Sequence, residues 1–402
     1  MGYYHYLLLL IVGAVTFFDG YDFLAITQLL PNLQSSFGLN QTQLGLLIML
    51  VNTGAIAAFL LMRAADTSGR RRLLLLTLAG FTLSSFASGV APNVTLFGFF
   101  QFCSRLFLIA DTEIAVVYVA EEFPAVHRGL AIGVLQGCFS LGAIACATLV
   151  PLLLKTPWGW RSVYLFGAVS VLTLLPARSK LRESRRFTEF AITKEPERRT
   201  FFAIWRSPYR RRMLQMGLVW AFSYACTQST VMFWKEFVVS ERGFTATEVG
   251  VSIALAALVA MPAVFLCGRL LDRVGRRMGA LIVFGIEIVG AAGSYSLHGR
   301  WPLTAMLVLG IFGASSVQLV LNAFTAELFP TDQRGDAFAW SNNLLGRMGF
   351  VLSPLLIGYL ASFGGWGRAV RLTAIGPLLA LAMLLKWAPE TNARELEETS
   401  KI

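Results

Sequence analysis

Residues 66–72 read DTSGRRR, and the same pattern returns as DRVGRR at 272–277, 206 positions further along the chain. Each copy lies between two apolar runs. A second pair of segments repeats at the same offset, because EEFP at 121–124 has its counterpart in ELFP at 327–330. A 402-residue chain that repeats its loops at half its length contains two homologous halves, and membrane-embedded halves of this kind are how secondary transporters are built.

The composition is that of a membrane protein. The chain is 56% hydrophobic and 14% charged, whereas a soluble domain carries roughly a quarter charged residues. The charges concentrate between apolar runs of about 17 to 25 residues, the length that crosses ~30 Å of hydrocarbon. Backbone groups in lipid must be satisfied within their own segment, so the runs are predicted to be helices.

The sequence therefore predicts an all-α membrane protein with twelve transmembrane helices in two homologous six-helix halves. The expected domains are an N-terminal half at 1–177, a basic cytoplasmic linker at 178–213, and a C-terminal half with a short cytoplasmic tail at 214–402. The predicted helices lie at roughly 6–30, 44–62, 73–91, 96–120, 129–154, 162–177, 214–237, 249–271, 279–297, 302–326, 335–361 and 369–388.

The distribution of the net charge of +11 sets the expected orientation. The linker at 178–213 holds twelve Lys and Arg against four Glu, and the repeated loops hold four Arg each. The loops at 31–43 and 92–95, on the other side, hold none. This positive-inside pattern predicts cytoplasmic termini, an integral protein of a bacterial inner membrane, and contact with anionic lipid headgroups rather than with nucleic acid.

The repeated loops and the twelve predicted helices resemble the major facilitator superfamily over essentially the whole chain. The first copy departs from the family pattern at Arg63, where Gly is usual, and at Thr67, where Arg is usual. The resemblance implies that these loops form a gate in which an Asp near a helix end pairs with Arg and favours one access state. The implied gating residues are Asp66, Gly69, Arg70, Asp272, Gly275, Arg276, Glu122, Arg128, Glu327 and Arg334.

A shorter element points to a branch of this family. Residues 19–22 read DGYD, which resembles the element found in metabolite:proton symporters, including carriers of aromatic acids and nicotinate, and in sugar porters. In proton-coupled sugar porters, an Asp at this place carries the proton and pairs with an Arg of the fourth helix. The resemblance assigns these roles to Asp22 and Arg105.

Charges within the predicted helices are functional candidates, because a charge at the centre of a membrane helix costs at least ~2.5–3.5 kcal/mol. Asp19 and Asp22 lie three residues apart on one helical face. Counting at ~1.5 Å per residue places Asp22 and Arg105 at similar depths, ~12–14 Å below the outer surface. The matching depths predict a proton-coupling pair, in which Asp19 shares the proton role with Asp22. A fixed ion pair between the two helices is the alternative.

Other acids on the same helix are harder to assign. Glu113 is expected either to orient Arg105 or to line the cavity, whereas Asp111 replaces a residue that is usually small in related carriers. Pairing with neighbouring helices is the alternative for both acids.

Polar and aromatic residues at mid-depth are the candidates for binding substrate near the midplane. Arg347 stands out, because a guanidinium binds a carboxylate with two parallel hydrogen bonds. Pairing of Arg347 with Glu287 or with backbone carbonyls is the alternative. The other predicted lining residues are Gln136, Tyr224, Thr227, Gln228, Trp234, Gln318, Asn322, Asn342 and Asn343, together with Glu113.

These features predict a secondary active transporter that carries a small organic anion, an aromatic or heterocyclic carboxylate, together with protons by alternating access. A sugar or polyol carrier of the same fold is one alternative, and a membrane receptor or sensor that does not transport is another. An enzyme is not expected, because the chain has no arrangement typical of nucleophilic catalysis, metal binding or phosphate binding. We expect a monomer without cofactor or metal.

Overall fold

The structure is a computed structural model that describes residues 3–172 except 124, residues 174, 176 and 181–182, and residues 203–330 and 333–390. Its first six helices are α1 (Tyr3–Phe37), α2 (Gln41–Ser68), α3 (Arg70–Gly89), α4 (Val94–Glu122), α5 (Ala125–Leu153) and α6 (Arg161–Leu172). A short 3₁₀ helix at Ala203–Arg206 precedes the others, which are α7 (Arg210–Met232), α8 (Trp234–Ser240), α9 (Ala246–Val274), α10 (Arg276–Ser294), α11 (Arg300–Glu327), α12 (Arg334–Phe338), α13 (Arg347–Leu372) and α14 (Ile375–Trp387).

The described residues form helices and no strands, which confirms the all-α prediction. Eight helical stretches among them are long and apolar enough to cross a membrane. The predicted run at 214–237 breaks at Phe233, between α7 and α8. Helix α13 continues through residues 362–368, the predicted gap between the last two runs, and kinks there at Gly365, where φ is +78°. The predicted run at 369–388 therefore covers the end of α13 and all of α14.

The chain forms two compact units, Met1–Leu39 with Leu50–Glu197, and Asn40–Met49 with Arg198–Ile402. The 3₁₀ helix and the first turn of α7 fall inside the predicted linker, while residues 183–202 of that linker lie outside the described part. The division of the chain at 178–213 remains a prediction.

Helices α1 and α5 of the first unit cross with their backbones in contact. A Cβ atom on Gly142 would overlap the carbonyl oxygen of Phe17, and one on Gly20 would overlap the carbonyl oxygen of Phe139. Small residues at an interface let two membrane helices approach to backbone contact. Gly20 of the DGYD element therefore packs against α5.

The two repeated loops have the same backbone. Gly69 separates α2 from α3 with φ +95°, and Gly275 separates α9 from α10 with φ +89°. A positive φ of this kind strains any residue that has a Cβ atom, so glycine is required at both places. The repeat seen in the sequence is thus a repeat of local structure.

Helix α9 begins with a capping box. The backbone N–H of Thr245 donates to Glu248, whose own backbone N–H donates to the Thr245 hydroxyl. The hydrogen bonds from the backbone and then the side chain of Thr245 lower the pKa of Glu248 below its usual range. This box fixes where α9 starts, just before the predicted membrane run at 249.

Candidate functional site

Asp22 lies in the interior of the first unit and is 5% exposed. The hydroxyl of Ser85, on α3, donates to its Oδ1 at 2.8 Å, and the hydroxyl of Ser104, on α4, donates to its Oδ2 at 3.1 Å. Each carboxyl oxygen thus has its own donor. Hydroxyl donors stabilise a carboxylate in an interior that would otherwise disfavour its charge.

Arg105 follows Ser104, whose hydroxyl donates to Asp22, so the charges of Arg105 and Asp22 are close enough to interact. Among the described residues, however, no ion-pair contact within 4 Å joins Arg105 to Asp22. The guanidinium carbon instead lies 4.3 Å from the centroid of the Phe23 ring. Its Nη1 atom is buried without a hydrogen-bond partner among the described residues. The structure therefore brings the two predicted proton-coupling residues together, with serines as the direct partners of Asp22.

The remaining acids of this unit lie at different places. Asp19 is fully buried, and Asp111 is buried and accepts a hydrogen bond from the Thr77 hydroxyl on α3. Glu113 is only half-buried. The contact with Thr77 connects α4 to α3, so Asp111 takes part in interhelical hydrogen bonding of the kind expected between membrane helices.

The second unit has its own polar group around Tyr224 on α7. The Tyr224 hydroxyl donates to Oδ1 of Asn342 at 2.8 Å, and the Tyr224 ring stacks on Trp220 with centroids 5.2 Å apart. Asn342 and Asn343 lie on a π-helical segment, Ala339–Gly346, that runs into α13. Such wide turns interrupt helices frequently at functional sites.

The other predicted lining residues differ in exposure. Arg347 is 8% exposed and has an interaction partner, while Glu287, its suggested partner, is buried without an ion pair among the described residues. Trp234 is fully buried against the edge of Phe244. Gln136 and Asn322 are exposed, and Thr227 is buried, whereas Gln228, Gln318 and Asn343 are half-buried.

The repeated loops carry a repeated ion pair. Arg70 donates to Glu121 at 3.3 Å, and Arg276 donates to Glu327 at 3.1 Å. All four side chains are between 14% and 18% exposed. Both partners of the second pair lie 206 positions after those of the first.

The partner of Arg70 was missed in the sequence prediction, which singled out Glu122, a half-buried neighbour with other contacts. The signal was present, because Glu121 matches Glu327 at the offset of the repeat. The side chains of Asp66, Asp272, Arg128 and Arg334 lie outside the described part of the structure.

Glu390, after the last helix, completes the second loop. Its two carboxyl oxygens accept hydrogen bonds from the backbone N–H groups of Arg276 and Arg277, at 2.8 and 3.0 Å. Gly275 supplies no side-chain cap for α10, so the carboxylate of Glu390 satisfies donors that the helix end would otherwise leave unpaired. No pattern in the loop points to this contact, because it joins positions 114 residues apart.

Replacing Glu390 by Ala is expected to lower the thermal stability of the purified protein by about 1 kcal/mol, the usual loss when a helix cap is removed. Amide exchange at Arg276 and Arg277 should quicken at the same time. The control is Lys386→Ala, which removes an exposed charge from the same end of the chain. Equal melting temperatures for Glu390→Ala and the wild type would show that the cap is dispensable.

Comparison with known proteins agrees with this architecture. The sequence profile described as "Major Facilitator Superfamily" matches residues 12–349. The chain is 26% identical over 397 residues to a putative niacin/nicotinamide transporter of Bacillus subtilis, with 97% of each chain covered. It is 26% identical over 364 residues to a cis,cis-muconate transport protein of Acinetobacter baylyi, covering 87% of this chain and 86% of the other.

Among solved structures, a D-xylose–proton symporter superposes with a TM-score of 0.77 at 17% identity, covering 97% of this chain and 99% of the other. At that identity the likeness concerns the fold alone. The repeated loops, the helical architecture and the family match agree, and the transporters of this family are not enzymes. The chain belongs to the major facilitator superfamily and is an integral membrane transporter of small molecules.

Proposed function

We propose that this transporter carries a small organic acid together with a proton by alternating access, and that its substrate is an aromatic or heterocyclic carboxylate. The observation that carries the proposal is the buried carboxyl group of Asp22, held by two hydroxyls beside the charge of Arg105. Acids within membrane helices are rare and mark proton and substrate pathways. One relative is named as a putative niacin/nicotinamide transporter and another as a cis,cis-muconate transport protein, and niacin and cis,cis-muconate are small carboxylic acids.

The proposed coupling follows from the electrostatics of a buried acid. Asp22 is stable as a carboxylate while the serine hydroxyls and the positive charge of Arg105 support it. When substrate binding or helix movement weakens that support, burial favours the neutral form and Asp22 takes up a proton. When the carrier opens to the other side, the serine hydroxyls and the charge of Arg105 again stabilise the carboxylate, and Asp22 releases the proton there. Transport of the acid is thereby linked to transport of the proton.

The repeated ion pairs are proposed to act in the gate. Arg70–Glu121 and Arg276–Glu327 each join the start of one helix to the end of another within its own unit. A partly buried pair of this kind stabilises one arrangement of the two helices and must adapt when they move. We place these loops, both termini and the basic linker on the cytoplasmic side of a bacterial inner membrane, and expect the transporter to work as a monomer.

Uptake by proteoliposomes tests this function. With an outside pH one unit below the inside, we expect nicotinate, benzoate or cis,cis-muconate to accumulate, and to reach about tenfold for one proton per monovalent anion. Protein-free liposomes correct for diffusion of the neutral acids. Collapse of the pH gradient should end the accumulation.

Each alternative has its own outcome in the same assay. Uptake of D-xylose or a polyol, without uptake of any acid, would move the protein to the sugar-carrier class. Absence of uptake for all these compounds would favour a receptor or sensor. Uptake of an acid that ignores the pH gradient would leave a carrier without proton coupling.

A further inference from the structure

Two buried donors in the first unit have no hydrogen-bond partner among the described residues. Arg105 is 4% exposed, and its Nη1 has no partner among the described residues. Tyr164, on α6, is fully buried, and its hydroxyl likewise has no partner there. A buried donor without an acceptor is unfavourable, and the cost rises when the donor carries a charge, so each such group calls for an explanation.

The two donors belong to one electrostatic cluster. Tyr21, next to Asp22 on α1, donates its hydroxyl to the carbonyl oxygen of Val163, next to Tyr164 on α6, at 3.2 Å. Tyr164 thus lies close enough to Asp22 and Arg105 for their charges to act on it.

Asp22 accepts hydrogen bonds from Ser85 and Ser104. Among the described residues it accepts from neither Arg105 Nη1 nor the Tyr164 hydroxyl. The cluster thus contains a carboxyl group with a hydroxyl donor on each oxygen, and two donors that have no acceptor in the described part of the chain.

The guanidinium of Arg105 lies against an aromatic pair. Arg105 lies over the face of Phe23, and the Phe23 ring lies 5.7 Å from that of Phe139 on α5. Aromatic rings pack against one another in tilted and edge-on arrangements such as this one. A cation beside aromatic rings suits a ligand that joins a carboxylate to a flat ring.

We propose that Arg105 and Tyr164 bind the carboxylate of the transported acid, with Phe23 and Phe139 beside its ring. This inference rests on the proposed function and deepens it, because it moves the carboxylate from the predicted Arg347 to Arg105. A carboxylate has two acceptor oxygens, and one guanidinium with one phenolic hydroxyl supplies the matching donors. Arg347 already has an interaction partner, whereas the Nη1 of Arg105 and the Tyr164 hydroxyl have no hydrogen-bond partner in the described part of the chain.

The arrangement also links the substrate to the proton. A carboxylate bound at Arg105 neutralises the charge that supports ionised Asp22, so arrival of the anion favours protonation of Asp22. Ser85 from α3 and Ser104 from α4 donate to Asp22, and the charge of Asp22 interacts with Arg105 on α4, with Tyr164 on α6 and with Tyr21 on its own helix. The substrate is thus a further counter-ion in this cluster.

Equilibrium binding to the purified full-length protein tests the assignment. The probes are two pairs, benzoate with benzamide and nicotinate with nicotinamide, because each amide keeps the ring and removes the charge. We expect the wild type to prefer an acid over its amide. Arg105→Gln should weaken binding of the acid ~100-fold and leave binding of the amide nearly unchanged. Tyr164→Phe removes one hydroxyl and should weaken binding of the acid roughly tenfold.

The matched control is Arg347→Gln, a change of the same type at the other buried arginine, which should keep the preference for the acid. Loss of that preference in Arg347→Gln, with Arg105→Gln and Tyr164→Phe like the wild type, would overturn the inference and leave acid transport standing. A wild type that neither binds nor takes up these acids would overturn the proposed function itself. Tyr164→Phe is nearly isosteric, so it decides the question even if Arg105→Gln does not fold.

Discussion

Replacing Asp22 by Asn is expected to abolish accumulation of the transported acid against its gradient. Asparagine resembles the neutral aspartic acid in shape but takes up no proton, so the carrier loses its link to the pH gradient. In proteoliposomes with a pH difference of one unit, the internal concentration should fall from about ten times the external one to equality. Exchange of labelled acid for unlabelled acid should persist at equal pH, because exchange needs no net proton movement.

The pH dependence of uptake provides a second measure of the same substitution. Wild-type uptake should rise as the outside becomes more acidic, whereas Asp22→Asn should give a flat profile after correction for passive entry of the neutral acid. Ser85→Ala and Ser104→Ala, which each remove one donor to the carboxyl group, should move the wild-type profile to higher pH. The reason is that a carboxylate with fewer donors holds its proton more tightly.

Asp19→Asn serves as the comparison, because Asp19 lies one turn away on the same helix and is fully buried. If Asp19→Asn abolished accumulation and Asp22→Asn preserved it, the proton would belong to Asp19. If both variants accumulated the acid normally, the coupling site would lie elsewhere or the carrier would work without protons.

Replacing Gly142 by Val is expected to destabilise the protein strongly. The added Cβ atom would overlap the carbonyl oxygen of Phe17, and backbone cannot move aside as the end of a flexible side chain can. Overpacking of a core costs about 1–3 kcal/mol, and overlap with backbone places this change at the upper end. We expect a lower melting temperature, a smaller folded fraction in size-exclusion chromatography, and lost uptake.

Gly137→Val, on the same helix, is the matched control. A Cβ atom at Gly137 would have no neighbour within 4 Å, so the same change of side chain should leave the melting temperature close to that of the wild type. Equal stability of the two variants would mean that α1 and α5 separate without cost, contrary to the close crossing at Gly20 and Gly142.

The sequence predicted those parts of the molecule that follow from local pattern. Apolar runs long enough to cross a bilayer predicted the helices, and the DxxGRR repeat predicted two related halves. The structure confirms the all-helical fold and shows matching ion pairs at Glu121 and Glu327. A repeat of this kind is readable because duplicated segments keep both their residues and their spacing.

The sequence pattern did not predict which side chains contact each other. Matching depths of Asp22 and Arg105 placed the two residues near each other, but depth says nothing about rotation of a helix around its axis. In the folded protein, Asp22 accepts hydrogen bonds from Ser85 and Ser104, and the guanidinium of Arg105 lies over the ring of Phe23. Serine is common in membrane helices, so neither serine carried a signal of its own.

By itself, the sequence determined the membrane location, the helices, the twofold repeat and the family, because each depends on the order of residues along the chain. The tertiary structure alone decided which buried groups meet. Gly20 and Gly142 allow α1 and α5 to touch, and Glu390 reaches a helix end 114 positions away. Only the fold reveals that Arg105 Nη1 and the Tyr164 hydroxyl have no acceptor within the described residues, because hydrogen bonding depends on neighbours in space.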